Sequence, residues 1–464
     1  MKYKLKLCML GLLTMVCMPS LAGGSEDQKM NNCQLYRIYL KNKKYSEYSI
    51  SRPSQFLSKR ALERRQRYNI HVDSTDLPIS NYYKRLIAEN DATILLESKW
   101  NNTILVRART AEMCGKVKNL PFVMDIKPVC TMEVQENASK RTITMPFNGF
   151  TVPADRSIRD VVSKGLNGEA LYGSGLDGSG ILISIIDGGF ANLKDISAFQ
   201  QMKIVGIRNF VPYAPSDIYL GTDHGTKVAS ILAANVPGKY LGLAPGAEYL
   251  LIRTEDAERE VLAEEDYWAA GVEYADSMGT DLISSSLGYN MVNDSLQENR
   301  SEMLDGESTL ISHTASFLQK KGIILVVSAG NNGMDSWKMI NVPADAKEII
   351  SVGATDRKGQ NAPFSSIGFT SDGRIKPDVT AVGCNVPIIN DFGKITIGNG
   401  TSFSAPIIAG LTACLWQRHK ELNARQIISM VKHSCDQWNK PDNIRGYGIP
   451  DYKKELYDNI FKYK

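Results

Sequence analysis

The sequence lacks the features that mark several common classes of protein. Histidine occurs five times in 464 residues. The eight cysteines include no closely spaced pair of the kind that holds zinc, so a Cys/His metal centre is excluded as an organising principle. Lys and Arg exceed Asp and Glu only slightly, 54 against 50, and form no stripe, which argues against nucleic acid as a partner. Beyond the N-terminal segment no apolar run has the length of a membrane span. Internal repeats and low-complexity tracts are also missing. The basic cluster Lys59, Arg60, Arg64, Arg65 and Arg67 reads as the wet face of an amphipathic helix. What remains is an ordinary globular composition, 43% hydrophobic and 22% charged, on a chain long enough for two or three domains.

The N-terminus carries Lys2, Lys4 and Lys6, an apolar run from Leu7 to Met18, and then Pro19-Ser20-Leu21-Ala22. This predicts a signal peptide over residues 1–22 with cleavage after Ala22, and a secreted or periplasmic product. An alternative makes Cys17 a lipidated anchor, although Thr14 opens the preceding Thr14-Met15-Val16 poorly for that purpose. Export would allow disulfides among Cys33, Cys114, Cys130, Cys384, Cys414 and Cys435.

Residues 30–130 alternate as strand, helix, strand, strand, helix, strand, with one extra helical piece near Tyr82. This is the βαββαβ pattern of a ferredoxin-like α+β domain. Its first and last strands would lie antiparallel and adjacent, which makes Cys33 and Cys130 a disulfide candidate. Residues 131–165 lose periodicity and collect Asn, Pro, Gly and charge, including Lys140-Arg141, so they read as a linker with a processing site. From 166 to 455, apolar strands alternate with helices: Ile181 to Ile186, Lys203 to Ile207, Glu248 to Ile252, Leu282 to Ser285, Ile323 to Val327 and Ile349 to Val352. The fold class is α/β, a parallel sheet with helices on both faces. The glycines of Gly173-Ser174-Gly175-Leu176-Asp177-Gly178 precede a strand instead of following one, so they are no dinucleotide loop.

Three motifs could carry chemistry. Asp187 ends the first strand of the sheet, at the edge where open α/β sheets build their sites. His224 opens a helix of small residues. Ser402, in Asn399-Gly400-Thr401-Ser402-Phe403-Ser404-Ala405-Pro406, begins a buried helix, with Pro406 suited to a first turn. Each residue alone is equally a turn, a helix-start or a cap residue.

Together the motifs resemble a subtilisin-like serine protease, a subtilase. HGTKVAS and GTSFSAP resemble the histidine and serine boxes, in the chain order Asp, His, Ser that the family shows. Ser286, Leu287 and Gly288 resemble one wall of the substrate cleft. Ser328, Ala329 and Gly330 resemble the other, with Asn331 as the oxyanion asparagine, and Gly373 to Asp378 resembles a further family segment. The resemblance implies catalytic Asp187, His224 and Ser402. It also implies residues 30–130 as an inhibitory propeptide, and a monomeric enzyme acting on protein or peptide substrates without a required cofactor or metal. Subtilases often carry structural calcium, and no loop of this sequence locates it. Gly188 departs from the Ser or Thr usual in relatives. The acidic stretch from Tyr289 to Leu310, with Asp294, Glu298, Glu302, Asp305 and Glu307, reads as a solvated insertion. Alternative readings are a silent binding protein on the same scaffold and an aspartic protease on Asp187-Gly188-Gly189. The latter would need a hydroxyl residue after the aspartate and a second matching loop. A lipase-type elbow is excluded because Ser402 lacks the second glycine of Gly-x-Ser-x-Gly.

Overall fold

A computed structural model describes residues 35–130, 157–163, 165–256, 261–290 and 300–457. In the N-terminal unit, strands β1 (Leu35–Leu40), β2 (Ala92–Ser98), β3 (Thr103–Ala108) and β4 (Val123–Cys130) combine with helices α1 (Lys59–Arg67), α2 (Asn81–Glu89) and α3 (Met113–Lys118). Every pairing is antiparallel and the order is β2-β3-β1-β4, the ferredoxin-like arrangement that the strand and helix pattern predicts. Ile38, Ile104 and Val106 pack against Tyr83 and Ile87 of α2 and Met113 and Val117 of α3. Leu35 lies opposite Cys130. Cys33 lies outside the described residues, as do segment 1–22 and most of the linker.

The larger unit opens with α4 (Ile158–Ser163), which the sequence reading leaves in the linker 131–165 but which buries Ile158, Val161 and Val162 in the larger core, and with α5 (Glu169–Gly173). There follow β5 (Leu182–Asp187), β6 (Lys203–Asn209), α6 (His224–Ala233), β7 (Asn235–Val236), β8 (Tyr240–Leu241), β9 (Glu248–Arg253), α7 (Glu264–Met278), β10 (Leu282–Ser285) and α8 (Leu310–Phe317). Next come β11 (Ile324–Ser328), β12 (Ile350–Thr355), β13 (Gly368–Phe369), β14 (Ile375–Lys376), β15 (Val379–Val382), β16 (Val386–Ile389) and β17 (Ile395–Gly398). The last helices are α9 (Thr401–Arg418), α10 (Ala424–His433) and α11 (Tyr452–Tyr457).

Seven strands form one parallel sheet in the order β15-β12-β11-β10-β5-β9-β6. Strand alternation splits the core. Ile183, Ile185, Leu251 and Val326 face α6, α9 and α10, whereas Leu182, Ile186, Leu250 and Val327 face α7 and α8. β15 is a seventh strand that the sequence pattern does not announce, because Val379-Thr380-Ala381-Val382 is short and carries a threonine. Helix α9 is buried from Thr401 to Trp416, so it has no wet face.

The two units meet through an apolar patch, in which Leu35, Leu105 and Val129 pack with Val211, Val261 and Tyr267, and through charge. In α7, Asp266 receives the Arg37 guanidinium through contacts of 2.9, 3.0 and 2.6 Å, with both side chains buried. The Asp276 carboxylate, fully buried, pairs with Arg64 at 2.5 Å and Arg65 at 2.9 Å, with Lys99 at 3.5 Å. Arg64 also donates to the Thr280 carbonyl just past the end of α7, where the helix dipole favours a cation. Glu273 accepts Ser98 Oγ and the backbone N–H groups of Lys99 and Trp100 at 2.5, 2.7 and 3.0 Å. Arg60 reaches Glu248 at 2.7 Å and Asp281 at 2.8 Å. The basic face of α1 is therefore a docking surface and not the solvated face that its composition suggests. Its periodicity is right, but the acidic partners are supplied from about two hundred residues away.

Burial works to raise the Asp276 pKa, yet the Lys99, Arg65, Arg64 and Lys321 charges outweigh it and hold the carboxyl at about 2. A depressed pKa means that this group's stabilisation is complete above the ordinary carboxylate range and is lost only as pH falls towards 2. Asp276→Ala leaves three cations without their common partner. It should destabilise the protein by about 3–5 kcal/mol in denaturant unfolding, the cost of breaking a buried pair. An unchanged unfolding midpoint would refute this account of the interface.

Candidate active site

Asp187 is the last residue of β5 and is fully buried. Its Oδ1 accepts the Gly188 N–H at 2.8 Å. Its two oxygens lie 2.9 and 3.0 Å from His224 Nδ1. His224 is the first residue of α6, whose opening turn is tied to the chain beyond Asp187. Gly225 donates to the Gly189 carbonyl at 2.9 Å, and Thr226 Oγ1 donates to the Ala191 carbonyl at 2.8 Å. About a third of the His224 side chain remains exposed, so the ring can meet a ligand.

Burial disfavours the charged imidazole, but the Asp187 charge and hydrogen bond outweigh it, Glu255 adds to them and Lys227 opposes; the pKa is raised from 6.5. Glu255 was not anticipated from sequence. It lies two residues beyond β9, on the same strand edge as Asp187, and that position is the only sequence signal for it. A Cβ placed on Gly188 would stand 3.0 Å from Glu255 Oε2 and 3.3 Å from Thr222 Cγ2. Gly188 thus leaves the room that the Glu255 carboxylate occupies.

Ser402 is the second residue of α9 and is 9% exposed. At this position a backbone N–H has no acceptor within the helix. The preceding Gly400 has φ +147°, a conformation that side chains resist, and it turns the chain sharply into α9. Asn331 Oδ1 accepts both the Thr401 N–H at 2.9 Å and Thr401 Oγ1 at 3.0 Å, which fixes its carboxamide with Nδ2 as the donating end. Pro406 is not in the first turn, as the sequence suggests, but is the sixth helical residue. Having no N–H, it cannot bond the Ser402 carbonyl, which instead accepts Ser286 Oγ at 2.8 Å. The Ser402 hydroxyl lies 3.4 Å from the Ser286 carbonyl, and no hydrogen bond joins it to His224. The two helix starts nonetheless face each other, with the His224 and Phe403 rings 6.1 Å apart.

The remaining predicted residues fall where strand order puts them. Ser286, Leu287 and Gly288 follow β10, while Ser328 ends β11 and leads into Ala329 and Gly330, at adjacent strand ends. Elsewhere, His313 pairs with Glu307, His433 bonds Ser429, His419 is buried and His71 is exposed. Glu307 also pairs with Lys347, while Asp294 and Glu298 lie outside the described residues. Cys384, Cys414 and Cys435 form no disulfide with one another. Among the described residues, no three His, Cys, Asp or Glu side chains converge as a metal site would, and no helix is long and apolar enough to cross a membrane.

A parallel α/β sheet whose carboxyl edge joins a buried Asp–His pair to a serine at a helix start is the architecture of a serine peptidase. The chain belongs to the subtilase family: the family's model matches residues 178–448, and a model of the Bacteroidota peptidase S8 propeptide domain matches residues 35–143. It is 29% identical to Subtilisin BL of Lederbergia lenta over 282 residues, 60% of this chain and 92% of that protein. It is 28% identical to Subtilisin E of Bacillus subtilis (strain 168) over 268 residues, 57% of this chain and 63% of that one. Among solved structures, the epidermin leader peptide processing protease of Staphylococcus aureus aligns with a TM-score of 0.63 at 19% identity, covering 92% of this chain and 98% of that chain. At that identity the likeness is one of fold.

The charged groups acting on the His224 ring are Asp187 from β5, Glu255 after β9 and Lys227 on α6 itself. Replacing Glu255 by Gln removes one of the two carboxylates that stabilise the imidazolium. The His224 titration, followed by NMR, should therefore move to lower pH. A titration that stays in place or moves upward would show that Glu255 has no hold on the ring.

Proposed function

We propose that this subtilase is an exported endopeptidase that cleaves peptide bonds through an acyl-enzyme on Ser402. The observation that carries the reading is the Asp187–His224 pair beside a serine helix start whose neighbouring asparagine is pinned by Thr401. A serine hydroxyl is a weak nucleophile at neutral pH, so His224 takes its proton as general base and returns it to the leaving amine. Asp187 holds the Nδ1–H tautomer and stabilises the imidazolium. The Ser402–His224 bond forms when substrate arrives, since such bonds tighten in the substrate complex. The Ser402 N–H and Asn331 Nδ2 receive the oxyanion, and the walls Ser286 to Gly288 and Ser328 to Gly330 hold the substrate. These side chains suffice without a cofactor, and the chain acts as a monomer.

The remaining assignments concern the precursor. Residues 1–22 direct export, and Cys17 would anchor the chain only if that signal were read as a lipoprotein signal. Residues 30–130 assist folding and then inhibit, the linker ahead of α4 holds the processing site, and the catalytic domain runs from α4 to residue 455. Parallel sheets depend on long-range contacts and fold slowly, which is the physical motive for a folding partner. Cys33 and Cys130 close the propeptide by a disulfide; recovery of both as free thiols from an unreduced digest would dispose of that pairing.

A fluorophosphonate should label the wild-type chain and not Ser402→Ala, and new termini between residue 131 and α4 should arise only in the former. Intact, unlabelled wild-type chain would favour the silent scaffold instead. Asn331→Ala should lower kcat by on the order of 10²–10³, the magnitude known for such a donor in a subtilisin, with little change in KM. Loss confined to KM would remove Asn331 from the oxyanion site.

A further inference from the structure

The N-terminal and larger units enclose a cavity of about 400 Å³ at their seam, a size and a position typical of small-molecule sites. Strand β2 supplies one wall, and the end of β6 with α7 supplies the other, so that Leu95, Leu96, Arg208, Phe210 and Tyr274 all line it. β2 and β6 are both edge strands of their sheets. The register of β2 on β3 shifts between Ile94 and Leu96. This bulge lets Leu95 and Leu96 both pack on the apolar cluster around Tyr267, where a regular strand would send successive residues to opposite faces. Leu95, Phe210 and Tyr274 are only partly buried, so they present apolar surface to the cavity.

The charges around the cavity do not balance. Of the carboxylates that line it, Asp76 pairs with Arg65 at 2.9 Å and Lys321 at 3.0 Å, Glu97 pairs with Lys84 at 2.8 Å, and Glu273 is taken up by the chain following β2. Lys99 is held by Ser277 Oγ at 2.9 Å and by Asp276 at 3.5 Å. Arg208 is left over. It is exposed, its guanidinium stands 5.6 Å from the Phe210 ring centre and 5.9 Å from that of Tyr274, and no carboxylate among the described residues pairs with it. A second surplus cation acts on the same residues. Lys43 Nζ donates to the Ser74 and Thr75 carbonyls at 2.9 and 2.8 Å and has no carboxylate partner among the described residues. Burial pushes its pKa down to about 8, against the pull of Glu273 and Asp76 and with the help of Lys99 and Lys321. Apolar walls thus adjoin a positive end.

We infer that this cavity is a binding site for a monocarboxylate with an apolar body, seated with its carboxylate on Arg208 and its chain among Leu95, Phe210 and Tyr274. A guanidinium meets a carboxylate with two parallel N–H donors, and aromatic rings beneath it steady its plane without using those donors. A cationic ligand would be repelled by Arg208, and an uncharged one would forgo the pair. Because each unit supplies one wall, the complete site exists only while the two are docked. By linkage, a bound carboxylate favours the docked state over the separated one. Nothing in the site depends on Ser402, so Ser402→Ala can keep the chain whole for the test.

Calorimetric titration of the full-length Ser402→Ala chain with octanoate should show one saturable site. Octanamide, the same body without the charge, should bind roughly ten-fold more weakly. Adding Arg208→Gln should bring the two affinities together. Adding Leu95→Trp instead, which narrows the apolar wall, should weaken both ligands and leave their ratio in place. Arg208 is exposed and joins no described ion pair, so its replacement should leave the fold intact, and each ratio is taken within one protein. No saturable binding of octanoate, equal affinity for octanamide before Arg208 is changed, or a ratio unmoved by Arg208→Gln overturns the site. Octanoate affinity unmoved by Leu95→Trp overturns its placement between the two units.

Discussion

A helix with no wet face can exist only where other elements cover it on every side, and α9 sets that condition for the larger unit. It packs on β10, β11, β12 and β15 and against α6, with Ile407, Ile408, Leu411, Leu415 and Trp416 all out of water. At about 1.5–3 kcal/mol for each large apolar side chain, such burial outweighs the cost of hiding polar residues at the helix start. Its axis is then fixed by packing, and its first turn is carried to the carboxyl edge of the sheet beside Asp187 and His224. Gly400 and Pro406 are local consequences. One turns the chain into a helix that packing has already placed, and the other hands the Ser402 carbonyl to Ser286.

The electrostatics of the site follow from the same edge. Asp187 is buried because it ends a central strand, and His224 is held to it because the first turn of α6 is bonded to the chain just beyond. The backbone N–H of Gly188 supports the Asp187 carboxylate, and the space that a larger residue would need at 188 is filled by Glu255. Gly188 and Glu255 are best understood as one feature, a small residue and the carboxylate that it admits.

Much of this was legible in the sequence because the relevant signals are local. Strand and helix periodicity gave the four-stranded unit and six of the seven parallel strands, and the boxes around Asp187, His224 and Ser402 stood out by their resemblance to subtilase motifs. What stayed hidden depends on contacts between distant segments. Glu255 looks like any acid after a strand until Gly188 and His224 are seen beside it. Arg64 and Arg65 sit on a helix whose pattern is that of a solvated surface, and only their partners on α7 show otherwise.

Helix α7 shows how partner choice can be written into a surface. An apolar pad would accept any exposed apolar patch, including that of a misfolded neighbour. Beside the apolar patch around Tyr267, a row of carboxylates at Asp266, Glu273 and Asp276 excludes any guest that cannot bring donors to the same three places, because an unmatched charge would have to be stripped of water for nothing. The discrimination is therefore exercised against wrong partners more than in favour of the right one. A chain that carries its propeptide covalently has that partner at hand from the moment of synthesis, so the surface can be selective without waiting for an encounter.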